Sequence, residues 1–183
     1  LTYCWESRDS QVATMPPQAT STGGPNFRSL DPTNSPDRYM PTLQTVLNGQ
    51  LGTTWERLAS VDRSMRFRLT VRDNVAGGGA SSSDINFITV DGDSGPFAVT
   101  VANSTGTIWT TQTTETVTWD VAGTDGAPVN TATVDILFSE DGGQTFDRVL
   151  AAGTPNDGSQ VVNVPTVNTT EGRIMIIAND NIY

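Results

Sequence analysis

Residues 116–146, TVTWDVAGTDGAPVNTATVDILFSEDGGQTF, constrain this chain more than any other stretch, because they read as two strands with their punctuation. Val117, Trp119 and Val121 alternate with Thr116, Thr118 and Asp120, the period of a strand with one buried and one solvated face. After a turn cluster at residues 123–128, Val134, Ile136 and Phe138 alternate with Asp135 and Leu137 and run into the octet SEDGGQTF, residues 139–146. The Asp141-Gly142-Gly143 core of that octet tolerates positive φ, and the Asp141 carboxylate can accept backbone N–H groups, so it reads as the closure of a hairpin. Trp119, Asp141, Gly143 and Phe146 are therefore structural residues on this reading, with Trp119 in a core.

The same alternation recurs along the chain. Leu1, Tyr3 and Trp5 share one strand face, with Trp5 a candidate core anchor. Met65, Phe67, Leu69 and Val71 alternate with Arg66, Arg68, Thr70 and Arg72. Further runs lie at residues 85–90, 99–101, 108–109, 149–150, 161–164 and 173–178. Strands at intervals of about 8 to 15 residues with turns between them predict an all-β chain of two tandem Ig-like or fibronectin III-like β-sandwiches. The first covers residues 1–92 and the second residues 93–183, with residues 91–96 as linker. The first sandwich carries a long ordered insertion, residues 7–54, rich in Pro and Gly and poor in any regular period; whether its opening strands are present stays open. Phe27, Leu30, Tyr39, Met40, Leu43, Val46 and Leu47 are its candidate anchors, with a helical turn after Pro41. The ends, at Leu1 and Ile182-Tyr183, both read as lying within strands, which predicts a portion of a longer polypeptide.

Charge and composition narrow function. Residues 1–92 hold 8 Arg against 9 carboxylates, and residues 93–183 hold 2 Arg against 11. A second half at −9 repels phosphate and anionic lipid, so neither nucleic acid nor a membrane is an expected partner of it. The chain has no His, which removes Ser-His-Asp and Cys-His catalysis and the His ligands of catalytic zinc from within it. The sequence thus predicts no enzyme activity in this chain. Gly92-Asp93-Ser94-Gly95-Pro96 is similar to the nucleophile segment of trypsin-like proteases, but it lacks the second Gly and any imidazole partner. Cys4 is alone and reads as a small buried hydrophobe. No run of about 18 apolar residues is present to span a membrane.

Several residues carry binding hypotheses. Asp91 and Asp93, with Asp157 or Asp180, are candidate ligands of an irregular calcium site; Gly95 and Ala102 exclude an EF-type loop. Phe27, Arg28 and Tyr39 are candidate ligand-binding residues on the long insertion, for an extracellular protein or a glycan. The arginine stripe of residues 66–72 can fork to carboxylates or phosphates, but Asp62, Asp73 and Asp84 nearby predict cross-strand ion pairs instead. Asn103-Ser104-Thr105 and Asn168-Thr169-Thr170 are glycosylation-type triplets.

Two resemblances follow from these blocks. The octet SEDGGQTF resembles the Asp-box hairpins of sialidase propellers and of secreted β modules, where the motif usually lies away from the catalytic centre. LTYCWE at residues 1–6, ATSTGGPNFRSLDPT at 19–33, DRYMP at 37–41 and FRLTVRDN at 67–74 are similar to the region downstream of the catalytic domain in bacterial reprolysin-type zinc metalloproteases. GPFAV at residues 95–99, TVTWDV at 116–121 and VDILFSEDGG at 134–143 are similar to the next module of those proteins. The resemblance implies an exported or cell-surface protein with an upstream zinc-binding catalytic domain as its partner and no cofactor within this portion. No position here matches the protease motif, so no catalytic residue is carried over. An adhesive or glycan-binding module and a structural repeat of an extracellular fibre are the alternatives.

Overall fold

The computed structural model describes residues 1–101 and 106–183, and the chain is nearly all β. It divides into two compact units, Leu1–Asp93 and Ser94–Tyr183. The triplet Asn103-Ser104-Thr105 lies outside the described residues.

The first unit holds one antiparallel sheet, β1 (Thr2–Ser7), β2 (Arg63–Arg72) and β3 (Ser81–Val90), in that order. The period-two pattern of β2 sends Met65 and Phe67 to one face, where they are buried with Phe27 against Trp5, Met40, Ile88 and Val90. A pair of sheets is expected over residues 1–92, and the unit differs: one sheet is present, and part of the long connection between β1 and β2 covers its apolar face. Pro and Gly deprive that connection of ladder donors and of a regular period, so it cannot supply a second sheet.

Two buried guanidiniums order the connection instead. Arg63 Nη1 donates to the Ser21 carbonyl at 2.8 Å and to Asn26 Oδ1 at 2.9 Å, while Nη2 donates to the Gly24 carbonyl at 2.6 Å. Arg38 Nη1 donates to the Trp5 carbonyl at 2.7 Å, and Nη2 to the Arg28 carbonyl at 2.6 Å and Glu56 Oε1 at 2.7 Å. A planar fork with fixed donors suits this work, because it can satisfy several backbone carbonyls at once. Of the predicted apolar anchors, Phe27 and Met40 join the core, whereas Tyr39 and Val46 are about half exposed. The helical turn after Pro41 forms as α1 (Leu43–Leu47).

Among its described residues the second unit holds two antiparallel sheets, β4 (Ala98–Val101), β5 (Thr114–Asp120) and β8 (Ser159–Asn163) in the order β4-β5-β8, and β7 (Arg148–Pro155), β6 (Thr133–Ser139) and β9 (Arg173–Ala178) in the order β7-β6-β9. Val117 and Trp119 of β5 and Val162 of β8 bury against Val134 and Ile136 of β6, so the two sheets share one core and the unit is sandwich-like. The two runs that open the sequence reading therefore lie in different layers. The turn cluster between them carries the chain from one sheet to the other, with Ala122 at φ 49° and Gly123 at φ 77°. Inside, Trp119 Nε1 donates to Asn156 Oδ1 at 2.8 Å, and Asn156 Nδ2 donates to Thr124 Oγ1 at 3.0 Å and the Thr131 carbonyl at 3.1 Å. Residues 108–109 and 182–183 are not strands; Tyr183 packs on Phe97 with ring centroids 4.6 Å apart.

Candidate functional site

The octet predicted to close a hairpin does so: β6 and β7 pair up to Phe138 opposite Arg148. Asp141 Oδ1 accepts the Ser139 hydroxyl at 2.6 Å and the Gln144 N–H at 3.0 Å. Its Oδ2 accepts the Thr145 N–H at 3.1 Å and hydroxyl at 2.9 Å. Gly142 and Gly143 take φ 79° and 94°, which lets Gly143 N–H reach Ser139 Oγ at 2.8 Å. The Ser139 hydroxyl first, then the Thr145 N–H, hold the Asp141 carboxyl down at about 2, so it is ionised throughout the neutral range. Beside this turn lies a hollow of about 270 Å³ walled by Phe138, Glu140, Asp147 and Arg148. Arg148 Nε and Nη2 each meet Glu140 Oε1 at 2.6 Å in a half-exposed ion pair. These groups answer one another, and Asp141 with all its partners local is a turn builder rather than a proton donor or acceptor at neutral pH.

In the first unit the three proposed ligand-binding residues do not form one surface. Phe27 is 3% exposed and packs on Phe67 with centroids 6.1 Å apart at 48°, so it belongs to the core and is corrected as a recognition residue. The Arg28 side chain is exposed while its carbonyl accepts from Arg38, and Tyr39 is about half exposed. The nearby hollow between Tyr3, Trp5, Leu30 and Arg38 measures about 50 Å³, room for a few waters and far below a sugar-sized pocket. Trp5 sits at the rim of the core, its Nε1 donating to the Pro36 carbonyl at 2.7 Å, and Cys4 is buried with Sγ 3.6 Å from the Leu30 carbonyl.

The acids expected to pair with the arginine stripe do other work. Asp62 Oδ1 accepts the Gly92 N–H at 2.7 Å, Asp73 accepts the Val75 and Ala80 N–H groups, and Asp84 accepts the Ile85 N–H at 2.8 Å. Arg66 donates through Nε and Nη2 to the Arg8 carbonyl. For Asp73 and Asp84 the physical reason is local, since a short carboxylate finds neighbouring backbone N–H groups before it finds a cross-strand guanidinium, whereas Asp62 reaches an N–H thirty residues on.

For calcium, Asp157 Oδ1 accepts the Ser159 N–H at 3.3 Å and Asp180 stands in a turn at φ 61°. Asp91 and Asp93 close the first unit. Among the described residues no group of three or more His, Cys, Asp or Glu side chains is placed to hold a metal ion. No helix among the described residues is long and apolar enough to cross a membrane.

Sequence reasoning missed the buried polar residues Arg38, Glu56, Arg63, Asn26 and Asn156. Arg63 carried a clue, since it shares the parity of Met65 and Phe67 and so faces inward. The class these observations define is a nearly all-β chain of two compact units whose buried polar groups bond to its own backbone and side chains. No protein-family model, no curated protein and no solved structure matches the chain.

Proposed function

We propose that this chain is a non-catalytic accessory region of an exported bacterial protein, a spacer, stabiliser or docking element that accompanies an upstream zinc-metalloprotease domain. In this reading the second unit is an Ig-like or fibronectin III-like sandwich, and the first is a sheet-and-loop module of the same lineage. The observation that carries the proposal is where the perturbed and buried ionisable groups are committed. Arg38 and Arg63 bind carbonyls of the long connection, and Asp73 and Asp141, whose carboxyls are held below their ordinary range, bind turn N–H groups. Catalytic sites use such groups on substrates; here they hold the fold. The resemblance of the blocks at residues 1–6, 19–33, 37–41, 67–74, 95–99, 116–121 and 134–143 to the region beyond the catalytic domain of reprolysin-type proteases suggests the partner.

The test has two arms. The purified chain, incubated with casein and with mixed peptides in the presence and absence of zinc, should give no hydrolysis above buffer; turnover would remove the proposal. The reading frame upstream should encode a His-Glu-x-x-His helix, and deleting this region from the whole polypeptide should lower its melting temperature or export while leaving cleavage of a small peptide unchanged.

A further inference from the structure

The sheet of the first unit has two edges, and the fold treats them differently. Along β1, Tyr3 N–H donates to the Thr33 carbonyl at 2.8 Å and Thr33 N–H returns to the Tyr3 carbonyl at 2.9 Å. Arg38 takes the Trp5 carbonyl two residues on. That edge is covered. Among the described residues β3 pairs with β2 alone. At ten residues, SSSDINFITV, it is the longest strand at any sheet edge here; β7 follows at eight and carries Gly153 and Pro155. It holds one charge, Asp84, and exposes Phe87 at 71%. A long, exposed, charge-poor edge is a template for a further strand.

We propose that β3 is a self-association edge, pairing antiparallel with β3 of a second copy about a two-fold axis at Asn86. Such an axis runs normal to the sheet, so faces are kept and odd residues meet odd residues. With Asn86 opposite its own counterpart, Ile85 meets Phe87 of the second copy, twice over. These aromatic and β-branched pairs cover the exposed ring on the face that Ile85 and Phe87 share with Arg68 and Arg66. Asp84 falls opposite Ile88 of the second copy, and the two Asp84 carboxylates stand about 13 Å apart along the strands, beyond strong repulsion. The occupant is thus a second copy because the strand complements itself, with no like charges opposed.

The hydrogen bonds agree with this register. Ile85 N–H donates sideways to Asp84 Oδ1 at 2.8 Å rather than into the β2 ladder. The alternation of an antiparallel strand then turns the groups of Ser83, Phe87 and Thr89 toward the same open edge, where the register pairs Ile85 with Phe87 and Ser83 with Thr89. Association replaces the Asp84 bond to Ile85 by a carbonyl of the second copy, so Asp84 restrains the edge.

Sedimentation of the full chain across the micromolar range tests this. The mass should climb from 19.5 kDa toward twice that value with concentration. Phe87→Lys, at an exposed position, should weaken association about tenfold or more, and Asp84→Ala should strengthen it. Asn86→Cys should form a disulfide-linked dimer under mild oxidation, whereas Ser82→Cys, far from the axis, should not. A monomer throughout, Asp84→Ala included, overturns the proposal, as does a dimer indifferent to Phe87→Lys.

Discussion

Arg38 Nη2 lies 2.7 Å from Glu56 Oε1, the two side chains 9% and 3% exposed, where the long connection of the first unit folds back onto the carbonyl of Trp5. The pair joins three stretches distant in sequence, and neither member is replaceable alone.

Glu56→Ala should therefore destabilise the first unit by about 3–5 kcal/mol, because it strands a buried guanidinium. Replacing both residues, Arg38→Met with Glu56→Leu, should cost clearly less. Urea unfolding of Arg38→Met, Glu56→Leu and the double variant checks this, and a double loss equal to the sum of the two single losses would deny the coupling.

Asn156→Leu should destabilise the second unit by about 2–3 kcal/mol, since it leaves the Trp119 indole N–H and the Thr131 carbonyl unpaired inside the core. Thermal melting gives the loss. A red-shifted or blue-shifted emission of the buried Trp119 would report the changed surroundings, and an unaltered melt would show that water replaces the amide.

The Asp141 carboxyl is held at about 2 against an ordinary 3.8. A depressed folded value means that its contribution is complete above about pH 4 and disappears as pH falls toward 2. The stability difference between the native chain and Asp141→Ala should accordingly shrink across that window and stay constant from pH 5 to neutrality. Asp73 titrates downward in both proteins and cancels in the difference. A gap that persists at pH 2 would contradict the assignment.

Phe27→Ala should lower stability by about 3–5 kcal/mol as a large-to-small core change, without any ligand present. Arg28→Ala, at an exposed side chain, should change stability by no more than about 0.5 kcal/mol. Comparing their melts with binding to a glycan array separates recognition from unfolding. Binding lost with Arg28→Ala at unchanged stability would favour an adhesive role for this loop.

Much of the fold is legible from alternation alone. Met65 and Phe67, Val117 and Trp119, and Val134 and Ile136 each announce a buried face, because the side-chain period of a strand is two whatever it pairs with. The turn at residues 139–146 is legible too, since Asp141 and Gly143 do their work through neighbours within four residues. The candidate site was less so. Phe27 looked like a loop aromatic, and only its contact with Phe67 makes it core. Asp62, Asp73 and Asp84 looked like partners for arginines because composition cannot say which donor a carboxylate meets first.

By itself the sequence determined that this chain is built of strands, where its turns fall and how unevenly its charge is spread, all properties of neighbouring residues. Tertiary structure alone decided that the first unit has one sheet rather than two, that β5 and β6 lie in different layers, and that Arg38 and Arg63 order the long connection. The reason is physical: strand pairing and buried guanidinium contacts join residues tens of positions apart, and no local period encodes which distant carbonyl a fork will find.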